Sequence, residues 1–280
     1  MIALNPKINM VAMLSILTRK RMKNFRAHIP IMIEKKNFVV KTANTREELY
    51  AALKLRHDVF LFELLKKRKR SGLDKDKFDQ LCDHLIIVDK RNNMLIGTYR
   101  LQSSRFKQKW YTATEFHMKQ INRLPGTKLE LGRACVHPDY RNGITIALLW
   151  EGISAYIKAS GANYLFGCSS IKTTDRKQIH NIYHYLLQNG HLSNEHHVRP
   201  RTRFKIRGTI RQLQSNPDST LINAAQMKDI IPSLLASYLK AGAKVYGSPA
   251  LDKNFKCIDF LTLLDVSHLQ EKVLRKPREN

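Results

Sequence analysis

The chain has 280 residues, 43% of them hydrophobic: ample for a sizeable core in one large domain or two small ones, and too apolar for a disordered chain. Lys and Arg number 49 against 23 Asp and Glu, a formal net charge of +26 that favours phosphate backbones, anionic lipid or acidic proteins without choosing among them. Four widely spaced cysteines, Cys82, Cys135, Cys168 and Cys257, contain no CxxC pair, which argues against a zinc ribbon or disulfide framework and fits a reducing cytoplasm.

Residues 1–37 read as a basic arm. Lys7, Arg19, Lys20, Arg21, Lys23, Arg26, Lys35 and Lys36 are interleaved with apolar residues such as Ile8, Val11, Leu14, Leu17 and Phe25. Such a pattern suits a basic amphipathic helix on anionic lipid, or a solvated arm. The longest apolar run, Met10 to Leu17, falls short of the roughly 20 residues that span a bilayer. Its charge follows the apolar run, whereas a signal peptide has charge before it. The expected location is the cytoplasm, with peripheral attachment to the inner membrane as an option.

A globular domain is expected over residues 38–275. Phe38 to Lys41 reads as a first strand. Thr45-Arg46-Glu47-Glu48 resembles a capping box, and a helix should follow through Leu49, Leu53, Leu55, Val59 and Phe60. The charged stretch Lys66 to Lys77 reads as a loop. His84 to Asp89 and Leu95 to Leu101 form a hairpin about the turn Arg91-Asn92-Asn93. Lys128 to Val136 is a strand, His137 to Gly143 a loop, and Thr145 to Ala159 a helix ended by Gly161. Tyr164 to Cys168 is the next strand. Helices follow at Gln178 to Gln188 and Pro232 to Lys240, with Gly190 and Gly242 as their stops. Lys244 to Gly247 and Asp259 to Asp265 close the series as strands. Strands alternating with helices predict an α/β (α+β) class with a mixed sheet.

Several residues carry possible chemistry. The joint Asp139-Tyr140-Arg141-Asn142-Gly143-Ile144-Thr145 lies between a strand and a helix, where backbone N–H groups and a helix start can hold a phosphate. Many α/β proteins have such a joint without that role. Glu130 and Arg133 lie three apart on the preceding strand, so they face opposite ways unless a bulge intervenes. A charge on so apolar a strand needs a partner, and an ion pair with Arg100 is one reading. Asp74, Asp76 and Asp79 could approach a metal, but they lack the glycine and terminal glutamate of an EF-hand. Capping of the loop or pairing with Arg56 and Arg100 suits them better. His180 and His184 are one helical turn apart without the glutamate of HExxH, which favours packed or surface histidines over metal ligands. Cys135 has His137 nearby but no third orienting group, so it reads as a buried structural cysteine. Arg199, Arg201, Arg203, Lys205, Arg207 and Arg211 could meet a phosphate-bearing partner or face solvent.

Taken together, LRHDVF (Leu55 to Phe60), DKDKFDQLCDHLIIVD (Asp74 to Asp89), IGTYRL (Ile96 to Leu101) and LELGRACVHPDYRNGITIALLW (Leu129 to Trp150) resemble a known family. So do YLFGCSS (Tyr164 to Ser170) and the C-terminal stretch Tyr238 to Asp265. The chain is similar to the acyl-homoserine-lactone synthases. It is more similar to the bacterial N-acyl amino acid synthases, including the ornithine-lipid N-acyltransferases, often labelled hemolysin-like. Arg56, Phe60, Asp76, Asp79, Arg100, Glu130 and Arg133 match signature positions. Asp74 stands where lactone synthases carry glutamate, and Phe62, Leu64 and Leu65 replace their tryptophan. Those departures favour the amino-acid N-acyltransferase branch.

The resemblance implies a GNAT-like fold, a mixed and mostly antiparallel central sheet flanked by helices. It implies that acyl carrier protein delivers a long acyl chain, 3-hydroxyacyl among the options, as a phosphopantetheine thioester. The pantetheine would follow the strand Leu129 to Val136, with Val136, Arg141, Asn142, Gly143 and Thr145 contacting it or its phosphate. The α-amine of an amino acid such as ornithine would attack the thioester, giving a lyso-aminolipid. Glu130 would take the amine's proton, with Arg133, Arg100 and Arg56 as the other catalytic residues. Asp74, Asp76, Asp79 and Phe60 would form the acceptor side. No permanent cofactor or metal is implied, an anionic membrane surface is an expected partner, and nucleic acid is not. A lactone-synthase-like or acyl-CoA-dependent GNAT enzyme is the alternative. A non-enzymatic basic protein on membrane or nucleic acid is another, although its basic stretches lack interleaved aromatics.

Overall fold

The computed structural model describes residues 22, 24–206, 227 and 229–269. The chain divides into two compact units, Met1–Gln102 with Arg133–Tyr156, and Ser103–Gly132 with Ile157–Asn280.

In the first unit, strands β1 (Met32–Glu34), β2 (Phe38–Thr42), β3 (Asp83–Asp89) and β4 (Met94–Ser103) pair antiparallel in that order. Helix α1 (Arg46–Arg56) starts where the capping pattern places it: the Thr45 side chain accepts from the Glu48 N–H at 3.2 Å, and Glu48 accepts from the Asn44 N–H at 2.7 Å. Such a cap is worth about 1 kcal/mol. The expected α-helix through Phe60 stops at Arg56, and His57–Leu64 continues as a π-helix. Its wider turn buries His57, Val59 and Leu61 while Phe62 and Leu64 stay exposed. Helix α3 (Gly143–Ser160) lies close over β2 and β3 at Gly152, where a Cβ would come within 2.7 Å of Leu85 and 2.8 Å of Val40. The missing side chain permits that approach, which brings the middle of α3 down onto the sheet.

Part of the expected arm is built into this unit. Met22, Phe25 and Ile29 are buried, and Met32–Glu34 pairs with β2. The reason is hydrogen bonding: Asp83 accepts from the His28 and Ile29 N–H groups at 2.8 and 3.0 Å. Apolar burial and paired backbone carry the structured region back past residue 37. Residues 1–21 and 23 of the arm lie outside the described residues, as do Arg207 and Arg211.

In the second unit, to which residues 127–132 of β5 (Thr127–Val136) belong, β5 pairs parallel with β6 (Ala162–Ile171) over Thr127 to Glu130. Antiparallel pairing joins β6 to β9 (Cys257–Asp265) and β9 to β8 (Lys244–Asp252), and a short parallel pair joins β8 to β7 (Leu192–Ser193). Helices α4 (Arg176–Gln188) and α5 (Ser233–Lys240) bury Ile179, Ile182, Leu186, Leu235 and Leu239 against Ile171, Val245, Ile258 and Phe260. A second cluster gathers Trp110, Phe116, Met118 and Ile121, the last from the short helix α2 (Lys119–Arg123), around Phe166 and Leu261. This cluster fixes the segment between β4 and β5. Mixed pairing with an antiparallel majority, and helices packed on strands, agree with the expected class. The strands run longer than the sequence pattern placed them, and β1, β7 and α2 were not anticipated.

Candidate active site

The acidic loop folds inward onto arginines. Arg56, fully buried at the end of α1, donates to Asp74 at 2.8 and 3.0 Å and to Asp79 at 2.7 Å. Arg100 on β4 donates to Asp76 at 2.8 and 2.9 Å and to Asp79 at 3.0 Å. Arg133 on β5 reaches Asp76 at 3.4 Å. Burial works to raise the Asp79 carboxyl, but the guanidiniums of Arg56 and Arg100 overcome it and hold the group well below the usual range. Asp76 is held down in the same way, with Arg100 the main cation. The His84 Nε2–H donates to the Asp79 carbonyl at 2.8 Å, and its own burial keeps it below the ordinary histidine value. Six residues singled out in the sequence thus form one network: Arg56, Asp74, Asp76, Asp79, Arg100 and Arg133. Phe60 lies apart from it, packed with Leu55, Val59, Leu95 and Cys135.

Arg133 takes φ +53° within β5, a left-handed conformation rare for a residue with a Cβ. It marks a local departure from regular strand geometry three residues after Glu130. Beyond it the strand leads through Val136 to the joint before α3. Arg141 donates to the Val136 carbonyl at 3.3 Å and forks onto Glu63 at 2.6 and 2.7 Å. The Asn142 side chain caps α3 by accepting from the Thr145 N–H at 3.0 Å. The first-turn N–H groups of a helix lack partners within it, so this start is a natural anion contact. Beside it opens a cleft of about 580 Å³, lined in part by Phe38, Arg91, Tyr140, Asn142, Ile144 and Thr145.

Glu130 belongs to the second unit and is buried. Its carboxylate accepts from the Thr112 N–H at 2.6 Å and the Tyr111 N–H at 2.8 Å. These backbone donors come from the turn leading into the 3₁₀ segment Thr112–Thr114, a source the sequence pattern did not suggest.

A second group went unnoticed in the sequence. Glu115, Asp252 and Asp259 are all buried, with carboxylate oxygens within 4.8 Å of one another. Burial first, then the Asp259 charge, pushes Glu115 up to about 8. Burial also raises Asp259, which the Ser170 hydroxyl partly relieves. Glu115 is therefore the neutral acid at neutral pH. The residues come from segments over a hundred positions apart, so no local motif announces them.

Cys135 is buried, and desolvation lifts its thiol to about 12, as suits a structural cysteine rather than a nucleophile. His180 and His184 pack ring on ring, 4.3 Å between centroids. Arg201 donates to the Ala113 carbonyl at 2.6 Å, so this part of the basic stretch braces the turn beside Glu130. No helix among the described residues is long and apolar enough to cross a membrane.

Residues 55–151 match the acetyltransferase (GNAT) domain family. The chain is 29% identical over 257 residues to the L-ornithine N(alpha)-acyltransferase of Brucella abortus, covering 84% of this chain and 86% of that protein. It is likewise 29% identical over 255 residues to the protein of that name from Rhizobium meliloti, covering 85% and 83%. Among solved structures, the AHL synthase LasI aligns over 87% of this chain and all of its own, at 12% identity and a TM-score of 0.45.

Proposed function

We propose that this chain, an acyltransferase of GNAT-like fold, transfers a long acyl group from a thioester to the α-amine of ornithine. The acceptor is inferred from the relatives named for that activity. Glu130 carries the chemical reading. An amino-acid amine is protonated at neutral pH and cannot attack a thioester until it loses a proton. A buried carboxylate held in one orientation by the Tyr111 and Thr112 N–H groups is suited to take it, directly or through water. A thioester is already activated, so attack by the amine on the carbonyl needs no covalent enzyme intermediate. The amine nitrogen forms the amide bond, the C–S bond breaks, and the thiol leaves with a proton.

In this reading the donor is acyl phosphopantetheine on an acyl carrier protein. Its phosphate lies at the joint formed by Val136, Arg141, Asn142, Gly143 and Thr145, where a phosphate would compete with Glu63 for Arg141. Asp74, Asp76 and Asp79 lock Arg56 and Arg100 in place, and Arg100 and Arg133 would order the acceptor's carboxylate or the acidic loop itself. The product is a lyso-aminolipid, so a cytoplasmic position at the inner-membrane surface fits, with the basic arm as the proposed attachment.

The test is a transfer assay. Purified protein is given long-chain acyl carrier protein, long-chain acyl-CoA or acetyl-CoA, each with ornithine, lysine, glycine or glutamine. The expected product is Nα-acyl ornithine, formed fastest from the carrier protein. Transfer restricted to acetyl-CoA and another amine would overturn the reading.

A further inference from the structure

We infer that Glu115 is a positioning residue for Glu130, setting the turn whose backbone N–H groups hold the Glu130 carboxylate. The inference rests on Glu130 as the base.

The geometry runs in one direction. Glu130 is held by the N–H groups of Tyr111 and Thr112, at 2.8 and 2.6 Å. The same turn closes on Glu115, whose N–H donates to the Thr112 carbonyl at 3.1 Å. Beneath the turn, Cys168 on β6 lies 3.7 Å from the Thr112 hydroxyl and 3.6 Å from the Glu115 carboxyl. Thr112 therefore touches Glu130 through its backbone and shares Cys168 with Glu115 through its side chain. On the other side the Arg201 N–H donates to the Glu115 carbonyl at 2.6 Å. Two of the groups fixing the turn thus engage Glu115 itself.

That anchor depends on a proton. Glu115 faces the Tyr111 hydroxyl from its own turn, Cys168 from β6, Asp252 from β8, and Asp259 and Cys257 from β9, with Arg201 packed on the turn from the segment after β7. Among these neighbours no cation pairs with its carboxyl, and the two aspartates oppose its ionisation. Burial, then Asp259, keeps it neutral until about pH 8. As the neutral acid it can share hydrogen bonds within the cluster. Once ionised it is repelled by Asp259 and Asp252, and the turn must move. The folded value lies above the ordinary 4.5, so the anchoring is intact at low pH and is lost as pH rises through about 8.

The experiment compares Glu115→Gln, Glu115→Ala and Glu130→Gln with wild type, measuring kcat and KM for the acyl donor from about pH 6 to pH 10. Wild-type kcat should decline above about pH 8. Glu115→Gln, neutral throughout, should keep kcat at neutral pH and lose that decline. Glu115→Ala should lose kcat by about 10- to 100-fold through misplacement of the base, with donor KM changed less than about twofold. Its Thr112 amide should also exchange hydrogen faster. An unchanged alkaline decline in Glu115→Gln overturns the inference, and this holds even if Glu115→Ala does not fold. Full kcat in Glu115→Ala overturns it too. If Glu130→Gln itself turns over normally, the base assignment fails instead. An inactive Glu130→Gln beside wild-type behaviour in both Glu115 variants defeats positioning alone.

Discussion

Each unit gathers a cluster of three carboxylates, and the two sets are partnered in opposite ways. Asp74, Asp76 and Asp79 are threaded by Arg56, Arg100 and Arg133, with contacts of 2.7 to 3.4 Å. Glu115, Asp252 and Asp259 have each other, two cysteines and a serine. Burial pushes Asp76, Asp79, Glu115 and Asp259 toward the neutral acid. Guanidiniums reverse the push in the first set and hold Asp76 and Asp79 ionised. Nothing reverses it in the second, where Glu115 rises to about 8. Fixed charge suits a scaffold that must keep its shape at any physiological pH. Shared protons suit a cluster whose state can change near neutrality.

The largest effect expected from breaking this contrast lies in the arginine network. Arg56→Met strands Asp74 and Asp79 without their main partner in a buried place. Loss of about 3–5 kcal/mol is expected, as for other buried pairs with one partner removed, read by denaturant unfolding at neutral pH. In wild type, the depressed Asp76 and Asp79 contribute stability that is full above the ordinary 3.8 and lost as pH falls through their folded values. Arg56→Met should flatten that acid loss.

A smaller effect, with the opposite pH dependence, is expected in the other set. Asp259→Asn removes the charge that does most, after burial, to hold Glu115 up. Glu115 should then titrate lower, and stability at about pH 9 should rise relative to wild type. Little change is expected at about pH 5, where Glu115 is neutral in both folded proteins. Thermal melts at the two pH values check this, and equal shifts at both would show that the carboxylates do not repel each other as described.

What could be read from the sequence follows the same division. The acids of the first set lie within six positions, and arginines stand on the flanking helix and strand, so pairing with Arg56 and Arg100 was foreseeable. The second set joins Glu115 to Asp252 and Asp259 of the β8–β9 pair, over a hundred positions away, and Glu115 sits among residues with no pattern of their own. Glu130 stood out because a charge on an apolar strand needs a partner. Its observed backbone donors, Tyr111 and Thr112, follow from a 3₁₀ turn that periodicity does not encode. The odd spacing of Glu130 and Arg133 left open whether the strand stays regular between them, and the φ of +53° at Arg133 is a departure that spacing does not encode. The helix after Thr45 was legible from its cap and apolar spacing. The switch to π-helix at His57 was not, because it depends on tertiary contacts such as the Lys69 N–H donating to the His57 ring at 3.2 Å. The edge strand β1 was hidden within a run that composition marked as a basic arm.

The most direct measurement expresses wild type and Glu130→Gln in a bacterial host without ornithine lipids and identifies new lipids by mass spectrometry. Wild type should yield Nα-acyl ornithine, and Glu130→Gln, folded and equally abundant, should form it about 10²- to 10⁴-fold more slowly. Equal formation by both proteins would contradict Glu130 as the base, and an acyl product on a different amine would contradict ornithine as the acceptor.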